Sequence, residues 1–266
     1  MLIFVLVPIV LVLVYSLKVP LGGGEEVVAL DNYIKFFDVL YLKVLAKSLW
    51  LAFISSVLCL VLGFPIASIL ANRDRNTGSD KKSSVLLLFV LPMWMNMLLR
   101  TYSWLTILEK NGLLNSILEF FNLPAVNILY SEGAVLLGMV YNFIPFMILP
   151  IYSVLVKINK STIEAAEDLG ANSFNVFKKV ILPLSLPGVI SGITMVFLPA
   201  VTSFVVPALL GGGHTMYIGT LIEEQFLIAY DWNFGSAISI IMMVIIVFCM
   251  QIMKLFNKND TNVSMF

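Results

Sequence analysis

The sequence predicts an all-α integral membrane protein that crosses the bilayer six times and carries one polar helical loop. Three observations predict it. Mean hydropathy is +0.99. Only 12% of the 266 residues are charged, against about 25% in a soluble domain. Those charges collect between apolar runs of 17 to 25 residues, and about 20 apolar residues cross the hydrocarbon core as a helix. A membrane β-barrel would show roughly ten-residue alternating segments instead.

The candidate spans are 1–17, 48–71, 84–108, 134–156, 188–210 and 235–256. The first lacks a basic start, and no small-residue cleavage site follows it, so it reads as a helix rather than a signal peptide. Lys and Arg counts set the orientation. Loops 72–83 and 157–187 and the tail 257–266, with Lys254 beside it, hold ten of them: Arg73, Arg75, Lys81, Lys82, Lys157, Lys160, Lys178, Lys179, Lys254 and Lys258. These are placed in the cytoplasm, with both termini. Ten of the sixteen acids fall on the other side, among them Glu25, Glu26, Glu223, Glu224 and Asp231. The outer side then sums to −4 and the inner to +4. An acidic outer face attracts cations within the screening length of about 10 Å. Acids also collect wherever bases are disfavoured, and that reading stays open.

A zero net charge argues against a nucleic-acid partner. Cys59 and Cys249 lie inside apolar runs and read as small hydrophobes. His214 is the only histidine, too little for a histidine-rich metal site. No Gly-x-x-x-x-Gly-Lys-Ser/Thr loop occurs, so the chain does not hold ATP in that way.

The polar loop is "STIEAAEDLGANSFNVFKKVILPLSLPGVISG", residues 161 to 192. Ser161 and Glu164 have the spacing of a capping box. Gly170 is the natural stop, and Ser173 or Asn172 caps a second helix. Phe174, Phe177 and Ile181 recur at helical spacing beside Lys178 and Lys179. Pro183 and Pro187 are expected to end that helix before the fifth span. Two short amphipathic helices joined at a glycine would suit a lipid surface or a partner's groove equally.

Glu164-Ala165-Ala166, then Gly170, Val180 and Leu182-Pro183 resemble the EAA loop of ABC-type importer permeases. Val180 stands where that family usually has isoleucine. The resemblance implies a single permease domain over 1–266, with loop 157–187 seating a coupling helix in a separate ATPase subunit. Glu164, Ala165, Ala166, Gly170, Leu182 and Pro183 carry over, and Asp168 belongs to the same helix. ATP and Mg would bind the partner ATPase, and no cofactor this chain. "LDNYIKFFDVLYLKVLAKSL", "LPMWMNMLLRTYSW", "EAAEDLGA" and "LPAVTSFVVPALLGGG" are similar to the spermidine/putrescine branch. That branch implies a second permease chain, two ATPase subunits, an extracellular binding protein and a polyamine substrate, in a bacterial cytoplasmic membrane.

Polar and aromatic groups inside spans are costly against lipid and mark candidate paths. The third span offers Trp94, Asn96, Arg100, Thr101, Tyr102 and Trp104, the fourth Tyr141 and Asn142 before Pro145, and the fifth Thr202 and Ser203 between Pro199 and Pro207. Trp and Tyr also form interfacial belts. Arg100, about 25 Å up its helix, is expected to snorkel outward or pair with Glu223 or Glu224. Segment 214–234 suggests a short surface helix ending near Asp231-Trp232. Glu223, Glu224, Asp231 and Trp232 are candidates for docking the binding protein, an ordinary loop being the alternative. The same machinery with another small solute is a rival reading. An ion-coupled carrier is a second, and it lacks the acid or histidine deep in a span that such carriers usually show. A membrane enzyme would need clustered catalytic groups, which the chain does not offer.

Overall fold

The computed structural model describes residues 2–20, 26–77 and 84–263. Glu25, Lys81 and Lys82 lie outside the described residues, as do the side chains of Glu26 and Lys258.

Helix α1, Leu2–Ser16, is apolar throughout and packs along the last helix, α13, Trp232–Val263. A hairpin follows, which the sequence reading missed. Strand β1, Lys18–Pro20, pairs antiparallel with β2, Glu26–Val28, with Val19 opposite Val27. Helix α2, Asp31–Phe36, is clipped to this corner by Asn32, whose Nδ2 donates to the Lys18 carbonyl at 3.0 Å.

Helix α3, Val39–Thr77, is 39 residues long, about 58 Å at 1.5 Å per residue. It packs against α7, Glu132–Leu155, which in turn packs along α10, Leu182–Thr202. These three make the centre of the bundle. Met139, Met147, Ile148 and Ile151 of α7 are fully enclosed. Glycines set the close approach: a Cβ on Gly63 would lie 3.1 Å from Cγ of Met147, and one on Gly192 2.7 Å from its Sδ.

The third span is not one helix. Helix α4, Ser84–Val90, runs into a 3₁₀ turn, Leu91–Trp94, and α5, Met97–Leu108, then departs at a bend of 100°. Pro92 opens the turn, and Met95 and Asn96 adopt extended ψ values of 145° and 132°. The Asn96 side chain caps α5, accepting from the Leu98 N–H at 2.8 Å. Helix α6, Leu113–Phe120, continues from α5.

The fifth span ends at Thr202 rather than at 210. Ser203 and Phe204 break it, and α11, Val205–Leu210, is a separate short helix. At its other end it is longer than expected. Helix α9, Ser173–Val176, a π-helical segment, Phe177–Ile181, and α10 form one rod of 30 residues. Pro183 and Pro187 therefore do not terminate the second loop helix. Pro183 and Pro187 lie inside this rod, and the π segment just before Pro183 absorbs the change in hydrogen-bond register.

Four helices are long and apolar enough to cross a membrane, and the bent pair makes a fifth if counted as one span. The described part of α1 has 15 residues, about 22 Å of helix against a core of roughly 30 Å. The expected count of six is met only by including both.

Candidate functional site

Helix α8, Lys160–Asp168, occupies the predicted coupling position, and none of its residues is buried. It starts two residues earlier than the capping-box reading placed it, at Lys160 instead of Thr162. Asn159 is the N-cap and makes no side-chain capping bond. Ser161 lies within the helix, and Glu164 pairs instead with Lys160 one turn back, at 3.0 Å. The glycine stop is as expected. Gly170 has φ +81°, its N–H donates to the Glu167 carbonyl at 2.8 Å, and Ala171 donates to Ala166 at 3.1 Å. Those two bonds make a complete Schellman motif. Asn172 then caps α9, accepting from the Asn175 N–H at 2.9 Å. Glu164, Ala165, Ala166, Asp168 and Gly170 thus share one exposed, firmly terminated unit. Leu182 and Pro183 stand apart from it, opening α10.

The candidate path residues divide by direction. Trp94 is 80% exposed, and Asn96 and Tyr102 also face outward. Arg100 is only 7% exposed, and its Nε and Nη1 have no hydrogen-bond partner. The expected pairing with Glu223 or Glu224 is absent among the described residues. The bend explains this: Arg100 lies in the first turns of α5 and turns into the bundle, so it is not carried up a continuous helix to the outer surface. Tyr141 and Asn142 are successive on α7, about 100° apart around the axis, and so cannot share a face. Tyr141 packs edge-on to Trp104, with ring centroids 5.2 Å apart, and both line a groove of about 420 Å³. Asn142 is 1% exposed, and its Nδ2 donates to the Gly138 carbonyl at 2.8 Å. Thr202 ends α10 and Ser203 begins the helix break, and Gly219 sits against it: a Cβ there would lie 2.6 Å from the Thr202 carbonyl oxygen.

This division makes a labelling prediction. In a chain with Cys59 and Cys249 replaced, a cysteine at 141 should react with a small membrane-impermeant cationic thiol reagent. A cysteine at 142 should stay unreactive. Equal labelling of both would show that α7 turns substantially in the working complex.

Helix α12, Ile218–Leu227, is the short helix expected within 214–234, set more deeply than a surface element and ending four residues before Asp231. Ile218, Gly219 and Leu221 are buried, and Ser48 of α3 accepts the Ile218 N–H at 2.7 Å. Before it, Tyr217 is enclosed, and burial with the Glu132 carboxylate nearby pushes its phenol up to about 12. Helix α12 stops at Leu227, and Asp231 begins α13, capping it by accepting the Phe234 N–H at 3.0 Å. Asp231 also pairs with Lys35 at 3.6 Å, and Trp232 packs on Tyr15 and Phe226. Glu223 and Glu224 differ: with Thr215, Met216 and Thr220 they line a cavity of about 430 Å³.

Sequence reasoning overlooked one further set of contacts. At the C-terminal end of α3, Arg75 Nη2 donates to the Leu155 carbonyl at 2.8 Å, and Tyr152 donates to Asp74 at 2.5 Å. The available signal was the charge cluster at 73–75 closing an apolar helix, which topology counting used only for its sign.

Residues 1–259 match the family model described as binding-protein-dependent transport system inner membrane component. The spermidine/putrescine transport system permease protein PotB of Haemophilus influenzae is 39% identical over 92% of this chain and 87% of its own length. Its Escherichia coli counterpart is 39% identical over 83% and 80%. In fold, the chain is similar to one in the crystal structure of a bacterial ABC transporter involved in alginate import. The TM-score is 0.72 at 20% identity, over 95% of this chain and 90% of that one.

Proposed function

The chain belongs to the family of binding-protein-dependent transport system inner membrane components, and from that membership we propose that it is the permease subunit of an ATP-driven polyamine importer. It is a multi-pass inner-membrane protein and a transport component rather than an enzyme. One observation carries the reading of mechanism: α8 has no buried residue, ends at a glycine in the left-handed conformation and lies in the chain between the two central spans α7 and α10. Such an element transmits a push without unfolding. Polyamine is the substrate class named for the relatives at 39% identity.

In this reading α8 seats in a cleft of an ATPase subunit, and ATP and Mg bind there rather than on this chain. A second permease chain supplies the other half of the pore, because one coupling helix per chain calls for two chains to serve two ATPase subunits. Both termini face the cytoplasm. An extracellular binding protein docks over α12 and delivers its cargo beside Glu223 and Glu224. Tyr141, Trp104 and the Thr202–Ser203 break give an amine weak contacts through ring faces and free carbonyls.

The test is uptake by the complete complex in proteoliposomes. Binding protein and ATP together should drive spermidine or putrescine inward, and an ion gradient alone should not. Uptake driven by a gradient without ATP, or uptake only of another solute class, overturns the reading. Replacing Glu223 and Glu224 by glutamine should slow polyamine uptake most at low ionic strength, where the screening length is longest. Asp231 is left intact because it caps α13. A deficit equal at high and low salt would remove these acids from cation attraction.

A further inference from the structure

Resting on the coupling role proposed for α8, we infer that the cytoplasmic end of α3 receives the movement of the coupling segment, with Arg75, Asp74 and Tyr152 as its positioning residues.

No residue of α8 is buried. Ile163 and Glu167 of α8, with Arg75, Leu155, Val176 and Phe177, line a cavity of about 350 Å³ between the coupling segment and α3. Along its length α8 touches the core through the half-buried Ile163, and the segment that carries it is held at both ends. Both ends are gripped by α3. At the entry, the carbonyl of Leu155, the last residue of α7, accepts the Ile158 N–H at 3.3 Å and Arg75 Nη2 at 2.8 Å. This carbonyl has no partner within its own helix, and a guanidinium suits the negative end of the helix dipole. One turn earlier on the same face, the Tyr152 hydroxyl donates to Asp74. At the exit, Phe177 opens the π segment and packs edge-on to Phe64 of α3, with centroids 5.7 Å apart. A π segment is a natural point of local adjustment. The residues that grip the segment, Phe64 to Arg75, cover about 16 Å of α3.

Helix α3 then continues as one helix, with Pro65 inside it, toward its other end. Ser48, about 40 Å from Arg75 along the helix, accepts the Ile218 N–H that opens α12. One rod therefore joins the coupling segment to the helix beside the Glu223–Glu224 cavity. Coupling needs an element that both sites can bias, and α3 is bonded at both.

The experiment uses the full complex in proteoliposomes. Basal ATPase, ATPase stimulated by the binding protein, and uptake are measured for Arg75→Gln, Arg75→Lys, Tyr152→Phe and Ser48→Ala. Arg75→Gln and Tyr152→Phe should keep basal ATPase within about twofold and lower stimulation and uptake by about fivefold or more, the usual range of coupling between sites. Lysine can still donate to a carbonyl, so Arg75→Lys should recover part of the loss. Ser48→Ala added to Arg75→Gln should cause less than the product of the two single losses, because both act through one rod. Stimulation within twofold of the parent in both Arg75→Gln and Tyr152→Phe overturns the inference. If Arg75→Gln does not assemble, Tyr152→Phe, which removes a single oxygen, decides alone. Glu164→Lys run in parallel separates the two levels. If it abolishes stimulation while Arg75→Gln and Tyr152→Phe keep it, only the inference on α3 fails. If it too leaves stimulation intact, the coupling role of α8 fails with it.

Discussion

Replacing Glu164 by lysine, or Gly170 by valine, is expected to bring uptake to background while the subunit stays folded in the membrane. The two variants fail for different reasons. Glu164 is exposed and pairs with Lys160, also exposed, and such pairs contribute about 0.3–0.5 kcal/mol. Removing it barely affects the chain itself. It places a positive charge beside Lys160, on a face that the ATPase must accept. Gly170 stands at φ +81° with open space around it, so valine meets no clash. Its obstacle is the backbone: a left-handed L-residue costs about 1–2 kcal/mol, and a β-branched one is at the upper end. The chain then leaves α8 in another direction and loses the bonds from Gly170 to Glu167 and Ala171 to Ala166. Binding-protein-stimulated ATPase and uptake, measured beside melting temperature, check this. Stimulation near the parent value in both variants would show that α8 does not transmit the stroke.

Much of this site was legible because its signals are local. A glycine after a run of helix formers, an asparagine two residues on and a fixed Glu-Ala-Ala spacing depend on neighbours a few residues away, and the structure places Gly170 and Asn172 in the roles they suggest. The misreadings share another cause. Ser161 and Glu164 have the right spacing for a capping box, but the helix starts at Lys160, and Glu164 then meets that lysine one turn away. Hydropathy sees 84–108 as one apolar run, because it averages over the turn at Pro92 and Asn96 that bends it by 100°. Arg100 was assigned to the outer surface from its distance along a straight helix, and the bend turns it inward. Pro183 and Pro187 looked like stops because a preceding π segment cannot be read from composition. The Arg75–Leu155 and Tyr152–Asp74 contacts join residues about 80 positions apart, beyond any local pattern.

Gly188→Val is expected to disrupt the subunit itself, the second large effect, and one separable from the first. Helices α7 and α10 flank the coupling segment and meet through glycine. A Cβ on Gly188 would lie 2.9 Å from the Pro150 carbonyl oxygen and 3.1 Å from Cα of Ile151. Both obstacles are backbone, so no side-chain rotation relieves them, and the helices must separate. Overpacking of a close-packed seam costs about 1–3 kcal/mol, and valine against backbone belongs at the upper end. Gly192→Ala, one turn on, tests the same seam where it can yield. Its closest obstacle is the Met147 sulfur at 2.7 Å, the end of a flexible side chain, so the loss should be smaller, about 1 kcal/mol. Melting temperature of the detergent-solubilised complex should therefore fall most for Gly188→Val, with smaller and comparable falls, of about 1–2 kcal/mol in stability, for Gly192→Ala and Gly170→Val. Uptake should order differently, with Gly170→Val at background and Gly192→Ala largely active. A seam that opened easily would let the push on α8 dissipate between α7 and α10 instead of moving them together. If Gly188→Val melts with the parent, the two helices do not approach this closely, and the coupling segment lacks the rigid mount that its function requires.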